Sequence, residues 1–191
     1  MSSHPEVDMV SFTGSTGAGV AVSEAAATTV KRVTLELGGK SANVALDDAD
    51  PILVAKKAIG ACHQNSGQTC SALTRLIIPE SMSDEVYEII AKKNNSYTVG
   101  DPLEENTRCG PMVSLRQQKS VSTYIQSGIS EGATLVSGGL GMPEGISKGY
   151  YVKPTIFANV SPDMKIWKEE IFGPVLAVSY THLTLPTIYS V

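Results

Sequence analysis

Cys70 stands in the run Ser66-Gly67-Gln68-Thr69-Cys70-Ser71-Ala72, on a turn that follows a helix-forming segment. A thiol on a tight turn can present its sulfur to a cleft and attack an electrophilic carbon as the thiolate. The plainer reading is a cysteine buried as a small hydrophobe. Glu36 stands in Leu35-Glu36-Leu37-Gly38-Gly39-Lys40, an apolar run that stops at two glycines. A carboxylate at the end of a buried strand can have a raised pKa and serve as a base toward water. An exposed edge charge is the alternative.

Two further runs suggest binding. Phe12-Thr13-Gly14-Ser15-Thr16-Gly17-Ala18-Gly19 puts glycines between a strand-like and a helix-like segment. Such glycines let backbone N–H groups approach a pyrophosphate, and the helix N-terminus favours its charge. A plain strand-to-helix turn has the same pattern. Glu169-Glu170-Ile171-Phe172-Gly173-Pro174-Val175 sets two acids before an aromatic. An acid can bridge two ribose hydroxyls and an aromatic can pack on a nicotinamide ring; a polar turn with one buried phenylalanine fits equally.

The elements that must position these residues alternate. Asp8 to Thr13 predicts a strand and Val20 to Val30 a helix. Lys31 to Leu37 and Ala42 to Leu46 predict strands, the first ending at Gly38-Gly39. Asp50 as N-cap and Pro51 at the first helical position start a helix that fades at Gln64 to Gly67. Leu73 to Ile78 predicts a strand, and Ser83 caps a helix through Lys93. Ser114 caps another helix, running towards Gly128. Ala133 to Val136, Tyr150 to Phe157 and Val175 to Tyr180 predict strands. The alternation argues for an α/β fold.

Bulk properties narrow the function classes. The chain has 191 residues, 42% hydrophobic and 18% charged, with formal net charge -4. No basic excess points to nucleic acid, and no apolar stretch is long enough for a bilayer. The N-terminus lacks a signal-peptide core. The three cysteines, Cys62, Cys70 and Cys109, match no zinc spacing and suit a reduced, cytoplasmic protein. No metal is expected.

Together the four runs resemble motifs of the aldehyde dehydrogenase superfamily, in the family's order. Gly100-Asp101-Pro102, Gly110-Pro111-Met112 and Tyr151-Val152-Lys153-Pro154-Thr155 resemble further signposts of that family. The likeness runs from about Val7 to Val178. It implies an α/β, aldehyde dehydrogenase-like fold: residues 1–38 end a Rossmann-like NAD(P)-binding domain and residues 39–178 form a truncated catalytic domain. Residues 179–191 read as a tail foreign to the family.

The resemblance implies NAD(P)-dependent oxidation of a small-molecule aldehyde to a carboxylic acid. Cys70 would be the nucleophile, passing through a thiohemiacetal and a thioester, with its N–H forming half of the oxyanion hole. Glu36 would activate the hydrolytic water. Gly14 and Ser15 would lie by the pyrophosphate of NAD or NADP, and Leu37 would contact the nicotinamide through its carbonyl. Glu170 would hold the nicotinamide-side ribose and Phe172 would position that end. The parent would be a homo-oligomer with no nucleic-acid or membrane partner. The isolated segment is expected to be inactive, because the family's cofactor site draws on segments before Met1.

Other readings remain open on sequence. A CoA-acylating semialdehyde dehydrogenase would transfer the acyl group to CoA, although Glu36 favours water. A cysteine hydrolase would pair Cys70 with one of His4, His63 and His182. A non-catalytic protein could retain the fold alone. His63, in the helix before the Cys70 turn, is read as subfamily variation or as a substrate-side difference.

Overall fold

The computed structural model describes residues 1–180. Ser179 and Tyr180 close the last strand; the rest of the stretch read as foreign lies outside the described residues. The chain divides into two compact units, Met1–Gly39 and a second beginning at Lys40.

In the first unit, β1 (Met9–Gly14) and β2 (Arg32–Leu37) pair in parallel, joined by α1 (Thr16–Ala27). The helix begins at Thr16 rather than Val20. Ser15 is extended, and its hydroxyl accepts from the Ala18 N–H at 3.3 Å, capping the helix earlier than the alanine-rich pattern suggested. The chain leaves through Val30, whose φ of 52° ends helical continuation. Of the two readings of Glu36, an end to a buried strand and an exposed edge charge, the second holds. Along β2 only Val33 and Leu37 are partly covered, and Glu36 is exposed. Two strands and one helix leave that face without a second layer.

In the second unit, β3 (Ala42–Val44), α2 (Pro51–His63), β4 (Arg75–Ile78), α3 (Ser83–Asn95), α4 (Leu115–Ser130), β5 (Thr134–Ser137), β6 (Thr155–Ala158), α5 (Lys165–Lys168) and β7 (Val175–Tyr180) follow in order. The sheet order is β3-β4-β7-β6-β5, parallel except for β5 against β6. Alternate residues of each central strand feed opposite faces. Leu176, Val178, Ile156, Leu76 and Ile78 pack with Ala55, Ile59, Val86 and Ile90 of α2 and α3. Val175, Ala177 and Phe157 pack with Val121, Ile125, Ile166 and Trp167 of α4 and α5. This is why Val175 to Val178 is continuously apolar, as for a parallel strand covered on both sides.

Asp50 and Pro51 start α2 as expected, the Asp50 carboxylate accepting from Ile52 N–H at 2.8 Å. Ser83 is not an N-cap. A 3-10 turn at Glu80–Met82 runs straight into α3, and the Ser83 hydroxyl donates to Glu80 O at 2.8 Å. The strand expected from Tyr150 starts only at Thr155. Pro154 lacks an N–H for a ladder, and Thr155 makes the first bond, to Pro174 O at 2.8 Å.

A buried polar knot joins these layers. His63 Nε2 donates to Asn94 Oδ1 at 2.8 Å, and Asn94 Nδ2 donates to Pro154 O at 2.8 Å and to the Ser137 hydroxyl. The imidazole also meets the Tyr97 ring edge-on at 5.3 Å. His63 is fully buried, so it is a packing residue and not a substrate-side one. Burial lowers its pKa to about 4, against a smaller opposing effect of the Asn94 bond.

Beyond α2, Asn65, Ser66 and Gly67 take φ values of 50°, 56° and 71°. Gly67 lies against the Gly173–Pro174 backbone. A Cβ there would fall 2.1 Å from Gly173 O and 2.7 Å from Pro174 N.

Two outcomes follow. The unfolded chain binds a proton at His63 below pH 6.5, whereas the folded chain resists it down to about 4. Stability is therefore full above pH 6.5 and falls, by on the order of a few kcal/mol, as pH drops towards 4. Urea midpoints measured across that window should lose most of this slope in His63→Gln. Gly67→Ala adds a left-handed alanine to a backbone clash and should cost roughly 2 kcal/mol or more in urea unfolding; an unchanged midpoint would contradict the contact.

Candidate active site

The Cys70 turn is fixed by side chains that bond to backbone. Ser66 Oγ donates to Gly110 O at 3.0 Å. The Gln68 amide spans a loop, donating to Pro111 O at 3.3 Å and accepting from Val113 N–H at 2.8 Å. Asn65 Nδ2 donates to Gln68 O at 3.1 Å, and Ala72 N–H to Thr69 O at 3.1 Å. Cys70 stands exposed on this turn, whereas Cys62 and Cys109 are buried. Burial pushes the Cys62 thiol up to about 12 and raises that of Cys109. The three thiols thus divide by environment, and only Cys70 is presented to solvent.

The Glu169–Pro174 loop meets this turn through Gly67 and Gly173. Phe172 has φ 55° and is 36% exposed, so its ring stands outside the core. The reading of a buried phenylalanine is thereby excluded. Ile171 beside it is buried and anchors the loop. Glu170 is partly buried. The Tyr124 hydroxyl donates to Glu169 Oε2 at 2.7 Å. Burial, together with the Glu169 bond and charge, pushes the tyrosine up to about 12.

Lys40 lies within electrostatic reach of both Arg75 and Glu170. Lys40 Nζ and Arg75 Nε are buried without a hydrogen-bond partner among the described residues. Burial lowers the Lys40 pKa to about 8; the Cys62 and Glu170 charges oppose this and Arg75 adds to it. The Arg75 guanidinium lies over the Trp167 ring at 5.2 Å. Lys40 sits in the Leu-Glu-Leu-Gly-Gly-Lys run, but its spacing gave no sign of this burial.

In the first unit, Gly14, Ser15, Glu36 and Leu37 collect at the carboxyl ends of β1 and β2. Gly14 pairs with Leu37, and Thr13 with Glu36. The backbone at Gly19 presses on Leu37, where a Cβ would meet Leu37 Cδ2 at 2.7 Å. Gly17, in the first turn of α1, faces open space. Carboxyl ends of parallel strands followed by a helix N-terminus are where α/β folds receive phosphorylated ligands.

The sequence reading gave no role to Gln68 or Gln117. Gln117 Nε2 donates to Ile171 O at 3.1 Å and to Phe172 O at 2.9 Å. Its position three residues after the Ser114 cap was the available signal. Among the described residues no cluster of three His, Cys, Asp or Glu could hold a metal, and no helix is long and apolar enough to cross a membrane.

Comparison with known proteins identifies the family and the fold. The family model described as the aldehyde dehydrogenase family matches residues 1–183. A 3-succinoylsemialdehyde-pyridine dehydrogenase of Pseudomonas sp. is 50% identical over 178 residues, 93% of this chain and 37% of that protein. The crystal structure of a Pseudomonas syringae aldehyde dehydrogenase C mutant complexed with NAD+ and octanal superposes with TM-score 0.93 at 46% identity, covering 95% of this chain and 37% of that one. A Mycobacterium tuberculosis aldehyde dehydrogenase complexed with NAD+ gives TM-score 0.91 at 42% identity, covering 94% and 37%. The chain therefore spans well under half the length of the relatives it matches. With the family model covering nearly all of it, the chain belongs to the aldehyde dehydrogenase family.

Proposed function

We propose that this chain supplies the nucleophile and general base of an NAD(P)-dependent aldehyde dehydrogenase that converts an aldehyde to a carboxylic acid. The observation that carries the reading is Cys70, an exposed thiol on a braced turn seated against the Phe172 loop. In this reading residues 1–38 end the cofactor domain and residues 39–178 belong to the catalytic domain. The protein works as a cytoplasmic homo-oligomer on a small aldehyde; its three free cysteines suit a reducing compartment.

Each unit offers groups that suit one part of a dinucleotide. Gly14 and Ser15 lie at the N-terminus of α1, with open space at Gly17, which suits a pyrophosphate. Leu37 offers a carbonyl for the nicotinamide amide. Glu170 offers a carboxylate for ribose hydroxyls, and Phe172 an exposed ring for the nicotinamide end. NAD+ complexes of family members support this choice, with NADP as the other candidate. When bound, NAD(P)+ supplies the hydride acceptor.

The protein's own chemistry then runs through Cys70. Its thiolate sulfur bonds to the aldehyde carbon, and the carbonyl oxygen takes the charge as a thiohemiacetal, stabilised by the Cys70 N–H. Loss of hydride from that carbon leaves a thioester. Water adds to the thioester carbon while Glu36 takes its proton. The carbon–sulfur bond breaks, releasing the acid and returning the thiolate. A general base in this position contributes about 10²–10⁴-fold.

The test uses a full-length protein carrying this segment and a panel of aldehydes. NAD(P)+ reduction should vanish in Cys70→Ala. In Glu36→Gln it should fall by about 10²–10⁴-fold, with the acyl-enzyme trapped on Cys70 and seen by mass spectrometry. Full activity in Cys70→Ala contradicts the reading, and acyl-CoA as the obligatory product replaces hydrolysis by transfer to CoA.

A further inference from the structure

One face of α4 grips the whole Glu169–Gly173 stretch. Gln117, Val121 and Tyr124 recur at i, i+4 and i+7, and so share that face. Tyr124 bonds Glu169 at 2.7 Å. Gln117 bonds the carbonyls of Ile171 and Phe172 at 3.1 and 2.9 Å. The Val121 side chain lies so near Gly173 that a Cβ there would approach Val121 Cγ2 to 2.5 Å. Phe172, held between these contacts, has a φ of 55°. An aromatic residue rarely adopts that region unless its surroundings impose it.

Gln117 is the unusual member. It occupies the last place of a Ser-x-x-Gln capping box begun by Ser114, whose hydroxyl accepts from Gln117 N–H at 3.2 Å. In such a box the glutamine side chain turns back to the N-cap residue. Here its amide nitrogen reaches off the helix to two consecutive carbonyls of the Phe172 loop.

We propose that Gln117 is a positioning residue for the cofactor end of the site: its amide clamps the Ile171 and Phe172 carbonyls and thereby holds the Phe172 ring in its exposed, left-handed pose. The assignment of that ring to the nicotinamide end rests on the function proposed above; the clamp itself does not. The ring is oriented through its backbone, because the side chain is too exposed for packing alone to fix it.

The chain has three phenylalanines, so 4-fluorophenylalanine labelling gives three fluorine resonances. Phe157, fully buried, reports the core, and Phe12 reports the first unit. In Gln117→Met, which keeps length and removes the donors, the Phe172 resonance should move towards its unfolded position while Phe157 and Phe12 stay in place. Gln117→Glu keeps a capping acceptor but cannot donate, and should release Phe172 in the same way. In the full-length protein both variants should raise the NAD(P)+ dissociation constant about tenfold, as expected for losing two neutral hydrogen bonds. The rate of Cys70 alkylation should not change.

An unmoved Phe172 resonance in both variants overturns the clamp. So does release in Gln117→Met with full recovery in Gln117→Glu, which would make capping the role. Movement of Phe157 along with Phe172 overturns it in favour of general stability. A wild-type full-length protein that binds no NAD(P)+ overturns the cofactor reading instead, and the fluorine spectra still decide whether Gln117 holds the loop.

Discussion

Gly67 and Gly173 bring two stretches of backbone together that no side chain could separate without moving them. A Cβ at Gly67 would penetrate the Gly173 carbonyl, and one at Gly173 would strike Val121. The turn after α2 must therefore be left-handed, and the loop before β7 must lie flat on α4. Much else follows from that seam. Pro174, its last residue, accepts from Thr155 N–H and so sets β6 against β7. Gln68 turns outward to brace Pro111 and Val113. Cys70 is left standing clear of the core while Cys62, on the same polypeptide segment, is enclosed by it.

Burial then sorts the chemistry. Cys62 and Cys109 are pushed up by desolvation and are poor nucleophiles at neutral pH. Lys40 is carried into the protein within electrostatic reach of Glu170, where a cation is costly unless an anion accompanies it. His63 shows the opposite use of burial. It is kept neutral to bond Asn94, and the knot it forms ties α2 and α3 to β5 and to the start of β6.

Much of this was legible in the residues. Asp50-Pro51 announced α2 because capping is a local interaction, and Val175 to Tyr180 announced a strand, whose cover on both faces only the packing shows. The four motifs located Cys70 and the loop of Glu170 and Phe172. Other features depend on contacts far along the chain. Asn65 suits the left-handed turn by its own type, but Ser66 does not, and its φ of 56° is held by the Gly67 seam. Tyr150 to Pro154 reads as strand by composition but spends Tyr150 O on Met112 N–H, outside any ladder. Glu36 follows an apolar pattern, yet its strand has too few neighbours in its own unit to bury it. Gln117 drew no role from its own surroundings, because the carbonyls its side chain binds lie more than fifty residues away.

The most direct measurement is timed alkylation of the folded chain with iodoacetamide, each cysteine followed by peptide mass spectrometry. If the seam presents Cys70 and closes the core over the others, Cys70 reacts in the native state while Cys62 and Cys109 react only once urea unfolds the protein. Labelling of Cys62 or Cys109 at a rate comparable to Cys70 under native conditions would contradict the account at its centre.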